Sequence, residues 1–265
     1  DTRIDVLVSV PGANEVWLLK GDELSKTFVW TGSGGGGDLA VALLDDVDGD
    51  GIADLAVGES GANSAFLFYG GGLADGLLAD ADHVLGGEAF EDSAGRAVAS
   101  AGDVNGDGRG DLLVGAPESD SPATAAGSAY LLLSGGTGSA ELAFADAIYR
   151  GASANDRAGY TIAGAGDTDG DGFDDVLVGA YNDSSAGAGA GAAYLFYGAA
   201  TPASGSTAAA DAAFYGETAG DGASEGLGAG DFNGDSLADV VIGSPVEGTA
   251  GGAAGATYVL FGGDN

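Results

Sequence analysis

The sequence predicts an all-β protein, a β-propeller of four-stranded antiparallel blades. Three observations predict it: an acidic loop recurs four times, short apolar runs flank every copy, and glycine makes up 53 of the 265 residues. The glycines stand between the apolar runs, where tight turns need them. A sustained 3.6-residue apolar period is absent, so we expect very little helix. Four strands in a repeat of about 60 residues are what a propeller blade requires.

Each unit opens with a strand of small residues, such as residues 95–102 or 159–166, and the acidic loop follows it. Small side chains suit the innermost position of a blade, where neighbouring blades crowd around the axis. A short apolar run comes next, at residues 55–58, 112–115, 176–179 and 240–243. Runs of this length between turn signals indicate buried strands.

An aromatic-rich third strand follows in each unit, at residues 66–70, 130–133, 194–198 and 258–262. We expect its rings to fill the space between blades. A weaker fourth strand precedes the next unit, for example at residues 147–151 and 213–216. These elements predict a single propeller domain over residues 1–265, divided into a partial unit 1–37 and repeats at approximately 38–94, 95–158, 159–222 and 223–265.

The partial unit is a truncated fifth copy. Residues 5–11 align with the apolar run and residues 16–21 with the aromatic strand, so its acidic loop would lie before residue 1. The other end of the chain follows the aromatic strand of the last unit. A chain without methionine that opens at Asp1 inside a repeat is expected to be a processed product or a part of a larger ring.

The net charge is strongly negative, with 41 acidic residues against 7 basic ones and a formal charge of −34. A compact state with so much repulsion needs neutralising cations or salt. Nucleic acid and anionic membrane surfaces are poor candidate partners because both require a basic face, so we expect no nucleic-acid binding. Cysteine is absent, which excludes disulfides and thiolate metal sites. No apolar run reaches the roughly 18–20 residues that span a bilayer, so we expect no membrane insertion.

The acidic loops begin at Asp46, Asp103, Asp167 and Asp231, which lie 57, 64 and 64 residues apart. We call residues 46–54 loop 1, 103–111 loop 2, 167–175 loop 3 and 231–239 loop 4. Alternate side chains of a tight turn can converge on one point, and Ca²⁺ prefers six to eight oxygens with several carboxylates among them. In loop 2, positions 1, 3, 5 and 9 are Asp103, Asn105, Asp107 and Asp111. Four loops in register predict about four Ca²⁺ ions, one per loop.

Glycine at positions 4 and 6 is expected to supply the positive φ that the turn requires. Loop 4 has Ser236 at position 6, so we expect weaker geometry or affinity there. An EF-hand would need a bidentate Glu at position 12. That position holds Val57, Val114, Val178 or Ile242 instead, which excludes the EF-hand. The aspartate at position 9 is therefore expected to take the bidentate role, and a structural role for the ion is favoured because each loop ties two strands.

The loops are followed by a GAP triplet, literal at residues 115–117, near-literal at 179–181 and 243–245, and replaced by Gly-Glu-Ser at 58–60. Ala-Gly at 94–95 and 158–159 stands where Phe-Gly would complete the motif. On these features the chain resembles, over essentially its whole length, the FG-GAP repeat family of integrin α-subunit β-propellers and many secreted bacterial proteins. The resemblance implies a calcium loop between the first and second strands of a blade, with positions 1, 3, 5, 7 and 9 as ligands.

Position 7 can contribute only its backbone carbonyl, which explains its variable identity. The implied ligands are Asp46, Asp48, Asp50, Ile52 and Asp54 in loop 1; Asp103, Asn105, Asp107, Arg109 and Asp111 in loop 2; Asp167, Asp169, Asp171, Phe173 and Asp175 in loop 3; and Asp231, Asn233, Asp235, Leu237 and Asp239 in loop 4.

Other signals are weaker. Residues 109–111 spell RGD, but Asp111 is expected to be committed to calcium. His83, the only histidine, lacks a surrounding nucleophile motif and is expected at the surface. Trp17 aligns with the aromatic core strand and is expected to pack, whereas Trp30 is expected to be freer, as a ligand contact or part of the outer strand.

The leading functional hypothesis is a non-enzymatic, secreted or cell-surface propeller, stabilised by calcium, that binds an extracellular protein or glycan in interaction or adhesion. A carbohydrate-binding lectin, with inter-blade pockets lined by Trp30 or Tyr160, is an alternative. A non-catalytic part of a larger secreted enzyme is another. The last is a filament or surface-layer subunit that self-associates through open terminal blades.

Overall fold

A computed structural model of the chain describes residues 5–21, 25–33, 37–134, 141–246 and 254–263. Within these ranges the regular structure consists of β-strands and single turns of 3-10 helix, and no α-helix occurs. The strands form five sheets. The all-β prediction is therefore confirmed.

The first two sheets come from the N-terminal third of the chain. The first sheet contains β1 (Val6–Val10), β2 (Glu15–Lys20), β3 (Ser25–Thr31) and the short β7 (Gly76–Leu77). The second contains β4 (Leu39–Leu43), β5 (Leu55–Glu59), β6 (Ser64–Phe68) and β8 (His83–Gly86). Neighbouring strands are antiparallel, except that β7 runs parallel to β3.

The other three sheets repeat this plan. The third contains β9 (Ala97–Gly102), β10 (Asp111–Ala116), β11 (Ser128–Leu132), β12 (Ala147–Arg150) and the short β16 (Gly205–Ser206), which is parallel to β12. The fourth contains β13 (Ala158–Gly166), β14 (Asp175–Ala180), β15 (Ala192–Phe196) and β17 (Ala212–Tyr215). The fifth has three described strands, β18 (Gly226–Gly230), β19 (Asp239–Ser244) and β20 (Ala256–Leu260).

The strands of each sheet follow one another in chain order, as in a propeller blade. The small-residue strand is first, the apolar run second and the aromatic strand third, as predicted. Residues 5–11 and 16–21 also fall where the alignment puts them, because β1 and β2 pair like the second and third strands of the other sheets. The blade fold is thus confirmed, while the division into units 1–37, 38–94, 95–158, 159–222 and 223–265 stays a prediction.

Small residues in the first strands allow neighbouring sheets to approach closely. Strand β9 contacts both β4 and β13, and β13 also contacts β18. A Cβ placed on Gly164 would lie 2.7 Å from the carbonyl oxygen of Ser100 in β9. Side chains larger than glycine are therefore excluded at this crossing.

Large apolar side chains fill the space between adjacent sheets, as predicted. Between the third and fourth sheets, Leu113, Leu131 and Val176 are buried in one cluster with the rings of Tyr149 and Phe196. These two rings stack with their centroids 4.2 Å apart. Burial of apolar surface between sheets is the main force that holds such repeats together.

Trp30 is more deeply buried than Trp17, which reverses the order that the sequence predicts. Trp30 in β3 is only 1% exposed and packs on Phe68, with ring centroids 5.1 Å apart. Trp17 is half-buried, because its strand neighbours Val16 and Leu18 face the second sheet and alternation turns Trp17 the other way. There the Lys26 ammonium lies 3.5 Å from the Trp17 ring centroid. Trp30 does lie in the outer strand, but the prediction that it is free to contact a ligand is wrong.

Candidate metal centre

Each acidic loop joins the first strand of a sheet to the second. Loop 1 lies between β4 and β5, loop 2 between β9 and β10, loop 3 between β13 and β14, and loop 4 between β18 and β19. In loops 2, 3 and 4, position 9 is the first residue of the second strand. All four loops therefore open at the same end of their sheets.

Loop 1 is held by hydrogen bonds from its backbone to its own carboxylates. Asp46 accepts the N–H groups of Gly49, Asp50 and Gly51 at 2.7, 3.1 and 2.8 Å. Asp48 accepts the N–H of Asp50 at 2.9 Å, and Asp50 accepts that of Ile52 at 2.8 Å. Such side-chain-to-backbone turns are typical of aspartate in tight loops. They hold the carboxylates of positions 1, 3 and 5 in one orientation.

The other loops repeat these bonds. The position-5 N–H donates to the position-3 side chain at 3.0, 3.0 and 2.8 Å in loops 2, 3 and 4. The position-7 N–H donates to the position-5 carboxylate at 3.0, 2.9 and 2.9 Å. The same hydrogen bonds therefore orient the side chains of positions 3 and 5 in all four loops.

The glycines at positions 4 and 6 adopt the predicted left-handed backbone. In loop 1, φ is +84° at Gly49 and +86° at Gly51. Ser236 takes the corresponding position of loop 4 with φ +76°, and its N–H still donates to Asp231 at 3.0 Å. The predicted weakening of loop 4 geometry is therefore not observed. Ser236 instead carries a backbone strain of about 1 kcal/mol that glycine would avoid.

Loops 1 and 3 bring three carboxylates to one point. Oxygens of Asp46, Asp48 and Asp50 lie within 4.8 Å of one another, and those of Asp167, Asp169 and Asp171 do the same. Calcium–oxygen bonds are about 2.3–2.6 Å long, so oxygens on opposite sides of one ion are about 4.8 Å apart. Without a cation the three charges would repel one another. Both the spacing and the oxygen chemistry therefore fit a calcium ion.

Loops 2 and 4 have an asparagine at position 3, which changes this arrangement. The side-chain N–H of Asn105 donates to Asp107 at 3.1 Å, and that of Asn233 donates to Asp235 at 2.8 Å. Each asparagine still offers a carbonyl oxygen, but these loops hold one carboxylate fewer than loops 1 and 3. Less negative charge is therefore available to an ion in loops 2 and 4.

Position 9 has a structural task of its own. Asp111 is 0% exposed, and its two oxygens accept the N–H of Val104 in the loop at 2.9 Å and the N–H of Ser134 after the third strand at 2.8 Å. Asp54, Asp175 and Asp239 each make the corresponding pair of bonds. Among the described residues, position 9 also lies outside the two carboxylate clusters. Its aspartate fastens the loop to the third strand, a role that sequence reasoning did not predict.

The pKa values reflect these different environments. Burial raises the pKa of Asp111 and of Asp175 to about 6, against the opposing effect of their hydrogen bonds. Burial alone would raise the pKa of Asp46 too, but the bonds from Gly51, Gly49 and Asp50 outweigh it and hold that pKa below its usual value. The Asp46 carboxylate thus stays charged more readily than an ordinary aspartate, as a metal ligand must.

The RGD triplet lacks an accessible aspartate, although Arg109 is exposed. The guanidinium of Arg109 donates to the backbone oxygen of Asp48 at 3.2 Å, and Asp111 is fully buried. The triplet is therefore part of loop 2 and of its contact with loop 1.

Two further residues of the sequence hypotheses have local partners. His83 is half-buried, and its Nε2 lies 2.8 Å from the hydroxyl of Tyr69. Tyr160 is half-buried between the guanidinium of Arg96, 4.5 Å from its centroid, and the ring of Tyr181, 4.2 Å from it. Tyr160 and the buried Trp30, the two residues named in the lectin hypothesis, therefore lack an open aromatic face.

Sequence reasoning missed a second set of aspartates. Asp92, Asp156 and Asp221 are buried, and each accepts the N–H of the residue three positions earlier in its turn. Burial raises the pKa of Asp92 and of Asp156 above the usual value. Each stands ten or eleven residues before position 1 of its loop. This recurrence at ten or eleven residues before each loop is the signal that could have identified them.

Within the described residues, no helix is long and apolar enough to cross a bilayer. The FG-GAP repeat model matches residues 94–132, 158–196 and 225–260, each of which contains one acidic loop. The chain is also similar to integrin alpha-PS2 of Drosophila melanogaster, at 30% identity over 153 residues. That alignment covers 52% of this chain and 11% of the integrin, so the chain spans a small part of its relative. The chain therefore carries three FG-GAP repeats, within sheets that have the form of propeller blades, and it is similar to an integrin α subunit over part of its length.

Proposed function

We propose that the chain is a secreted, calcium-binding β-propeller that acts as a non-catalytic module of protein interaction or adhesion. Loops 1 to 4 each bind one structural Ca²⁺ through positions 1, 3 and 5, the backbone carbonyl of position 7 and the carboxylate of position 9. The observation that carries the proposal is the pair of three-carboxylate clusters, whose oxygens lie within 4.8 Å of one another. Calcium in the millimolar range outside cells suits such loops.

A structural role for the ion is supported by what the loops connect. Each loop joins two strands directly, and its position-9 aspartate is bonded to the segment after the third strand. An ion that holds positions 1, 3 and 5 would neutralise their repulsion and stabilise that connection. The similarity to an integrin α subunit supports an extracellular interaction role.

Thermal unfolding in calcium and in EDTA tests the calcium proposal. A ligand that binds only the folded state at 100 times its Kd stabilises it by about 2.7 kcal/mol. We expect a clear rise of Tm in calcium, a smaller one in the double variant Asp50→Asn and Asp171→Asn, and little change with equal magnesium. An identical Tm of the unaltered protein in calcium and EDTA would refute the structural role.

Self-association through the terminal sheets is a second proposal, favoured by one exposed apolar face. Phe232 at position 2 of loop 4 is 61% exposed, whereas Thr168 at that position of loop 3 is 5% exposed. Val259 in β20 is 49% exposed, whereas its counterpart Leu195 is 4% exposed. The corresponding face of the fourth sheet, which contains Leu195, is covered by Val240 and Ile242 of the fifth sheet. We infer that the first sheet of a second copy covers the exposed face of the fifth sheet, with Lys26 of the second copy near the carboxylates of loop 4.

Light scattering after gel filtration tests the association. We expect Val259→Asp to lower the average mass at a given concentration, while Val84→Asp, on the exposed face of another sheet, leaves it unchanged. A protein that is monomeric at every concentration and salt level would overturn this second proposal and leave the calcium proposal intact.

A further inference from the structure

Successive calcium loops contact one another through the same pair of backbone positions. In loops 2, 3 and 4, the position-8 N–H donates to the position-1 carbonyl of the preceding loop. These bonds join Gly110 to Asp46 at 3.0 Å, Asp174 to Asp103 at 3.1 Å, and Ala238 to Asp167 at 2.9 Å. The first ligand of one loop is therefore held by the backbone of the next.

The position-7 side chain reinforces this contact. A Cβ placed on Gly106 of loop 2 would lie 2.8 Å from Cε1 of Phe173 in loop 3. Arg109 lies in the same way over Gly49, and Leu237 over Gly170. In loops 1, 2 and 3, position 4 must therefore be glycine for two reasons, its positive φ and the side chain that packs on it. The position-7 residues of loops 2, 3 and 4 can differ in type because each side chain packs on a glycine, which has no side chain to be matched.

The junction between loops 2 and 3 has an additional bond. The carboxylate of Asp174 accepts the N–H of Asp103 at 2.7 Å, while the N–H of Asp174 donates to the carbonyl of Asp103. Both backbone polar groups of a position-1 ligand are thus held by one residue. The other loops have Ala53, Gly110 or Ala238 at position 8, none of which has a carboxylate.

Asp174 lies between two residues of the proposed site in loop 3. Phe173 precedes it with the backbone carbonyl of position 7, and Asp175 follows it with the carboxylate of position 9. An ion that orders these neighbours also restricts Asp174, and through it Asp103 in loop 2. If an ion in loop 3 has already restricted Asp103, an ion that then binds loop 2 loses less conformational entropy in ordering that residue. This difference makes the coupling between the two loops positive.

We propose that Asp174 and Phe173 are positioning residues for the metal site of loop 2, so that calcium in loop 3 increases the calcium affinity of loop 2. The inference rests on the proposed calcium function. Because coupling between two binding sites is reciprocal, an ion in loop 2 increases the affinity of loop 3 by the same factor. Couplings of this kind are typically about 5-fold or more.

The test uses the full chain with loops 1 and 4 silenced by Asp50→Ala and Asp235→Ala. Calorimetric titration with calcium then reports on loops 2 and 3. Silencing loop 3 as well, by Asp171→Ala, is expected to weaken calcium binding in loop 2 about 5-fold or more. Asp171 is exposed but accepts the N–H of Phe173 at 2.9 Å, so Asp171→Asn, which removes the charge and keeps an accepting oxygen for that bond, is measured in parallel.

Variants of Asp174 test whether this residue transmits the coupling between loops 2 and 3. In Asp174→Ala, silencing loop 3 is expected to leave the affinity of loop 2 nearly unchanged. Asp174→Asn keeps an oxygen that accepts the Asp103 N–H and is expected to retain the coupling. In the NMR spectrum, the amide resonance of Asp103 should shift when calcium binds loop 3 of the protein that retains Asp174. The same resonance should not shift in Asp174→Ala. Leu237→Ala, at a different junction, is the matched control.

The outcomes separate this inference from the calcium function. Equal calcium affinity of loop 2 with loop 3 intact and silenced would overturn the coupling while the calcium sites stand. Persistent coupling in Asp174→Ala would overturn the role of Asp174. A protein that binds no calcium in any loop would overturn the proposed function itself, and the coupling with it.

Discussion

The position-9 aspartates allow a test that separates two roles of one carboxylate: accepting two backbone hydrogen bonds, and binding a metal ion. Replacing Asp111 by alanine removes the acceptor of two backbone N–H groups, those of Val104 and Ser134, at a site with no solvent exposure. Each buried donor left without a partner costs about 1–3 kcal/mol. The removed carboxylate was itself disfavoured by burial, which raises its pKa to about 6 and offsets part of this loss.

We therefore expect Asp111→Ala to lower the free energy of unfolding by about 2–4 kcal/mol in EDTA, where no ion contributes. At about 2–4 °C per kcal/mol, this corresponds to a fall in Tm of about 5–15 °C. The assay is urea unfolding followed by circular dichroism, with EDTA and calcium samples in parallel.

Asp107→Ala is the matched control, because Asp107 belongs to the same loop but is exposed. Its free energy of unfolding in EDTA should stay within about 1 kcal/mol of the unaltered protein. In calcium it should lose the stabilisation that loop 2 contributes. Equal stability of the two variants in EDTA would refute the fastening role of position 9.

Three further predictions concern single positions. Asn105→Asp adds a carboxylate to loop 2 and should tighten its calcium binding, measured by calorimetry; equal or weaker affinity would contradict the charge argument. Ser236→Gly should raise the free energy of unfolding by about 1 kcal/mol, because glycine adopts φ +76° without strain; a lower value in urea unfolding would count against it. Asp156 has a pKa raised first by burial and then by nearby Asp183, so its contribution to stability is fully present below about pH 3.8 and is lost as pH rises through the raised folded pKa. The variant Asp156→Asn should therefore gain stability relative to the unaltered protein between pH 4 and pH 7 in EDTA, and a difference independent of pH would show that the charge of Asp156 is not responsible.

Much of the fold follows from local pattern. The first strands, apolar runs and aromatic strands lie where the repeats place them, because alternation of apolar residues and turn glycines acts over a few neighbouring residues. The loops were recognisable for the same reason, since positions 1, 3 and 5 orient one another through bonds within the loop. The strands of Trp17 and Trp30 were predicted correctly, but the deep burial of Trp30 was not, because strand identity alone does not say which face meets the next sheet.

The sequence by itself therefore determined the strand types, the loop positions and the oxygen chemistry of the candidate calcium sites. The tertiary structure alone decided which carboxylates are buried, that Asp111 fastens the loop to the third strand, and that Asp174 holds Asp103 in the loop before it. The physical reason is distance along the chain. These contacts join different strands or sheets, such as Asp103 and Asp174, which are 71 residues apart, and no local pattern records which partners meet.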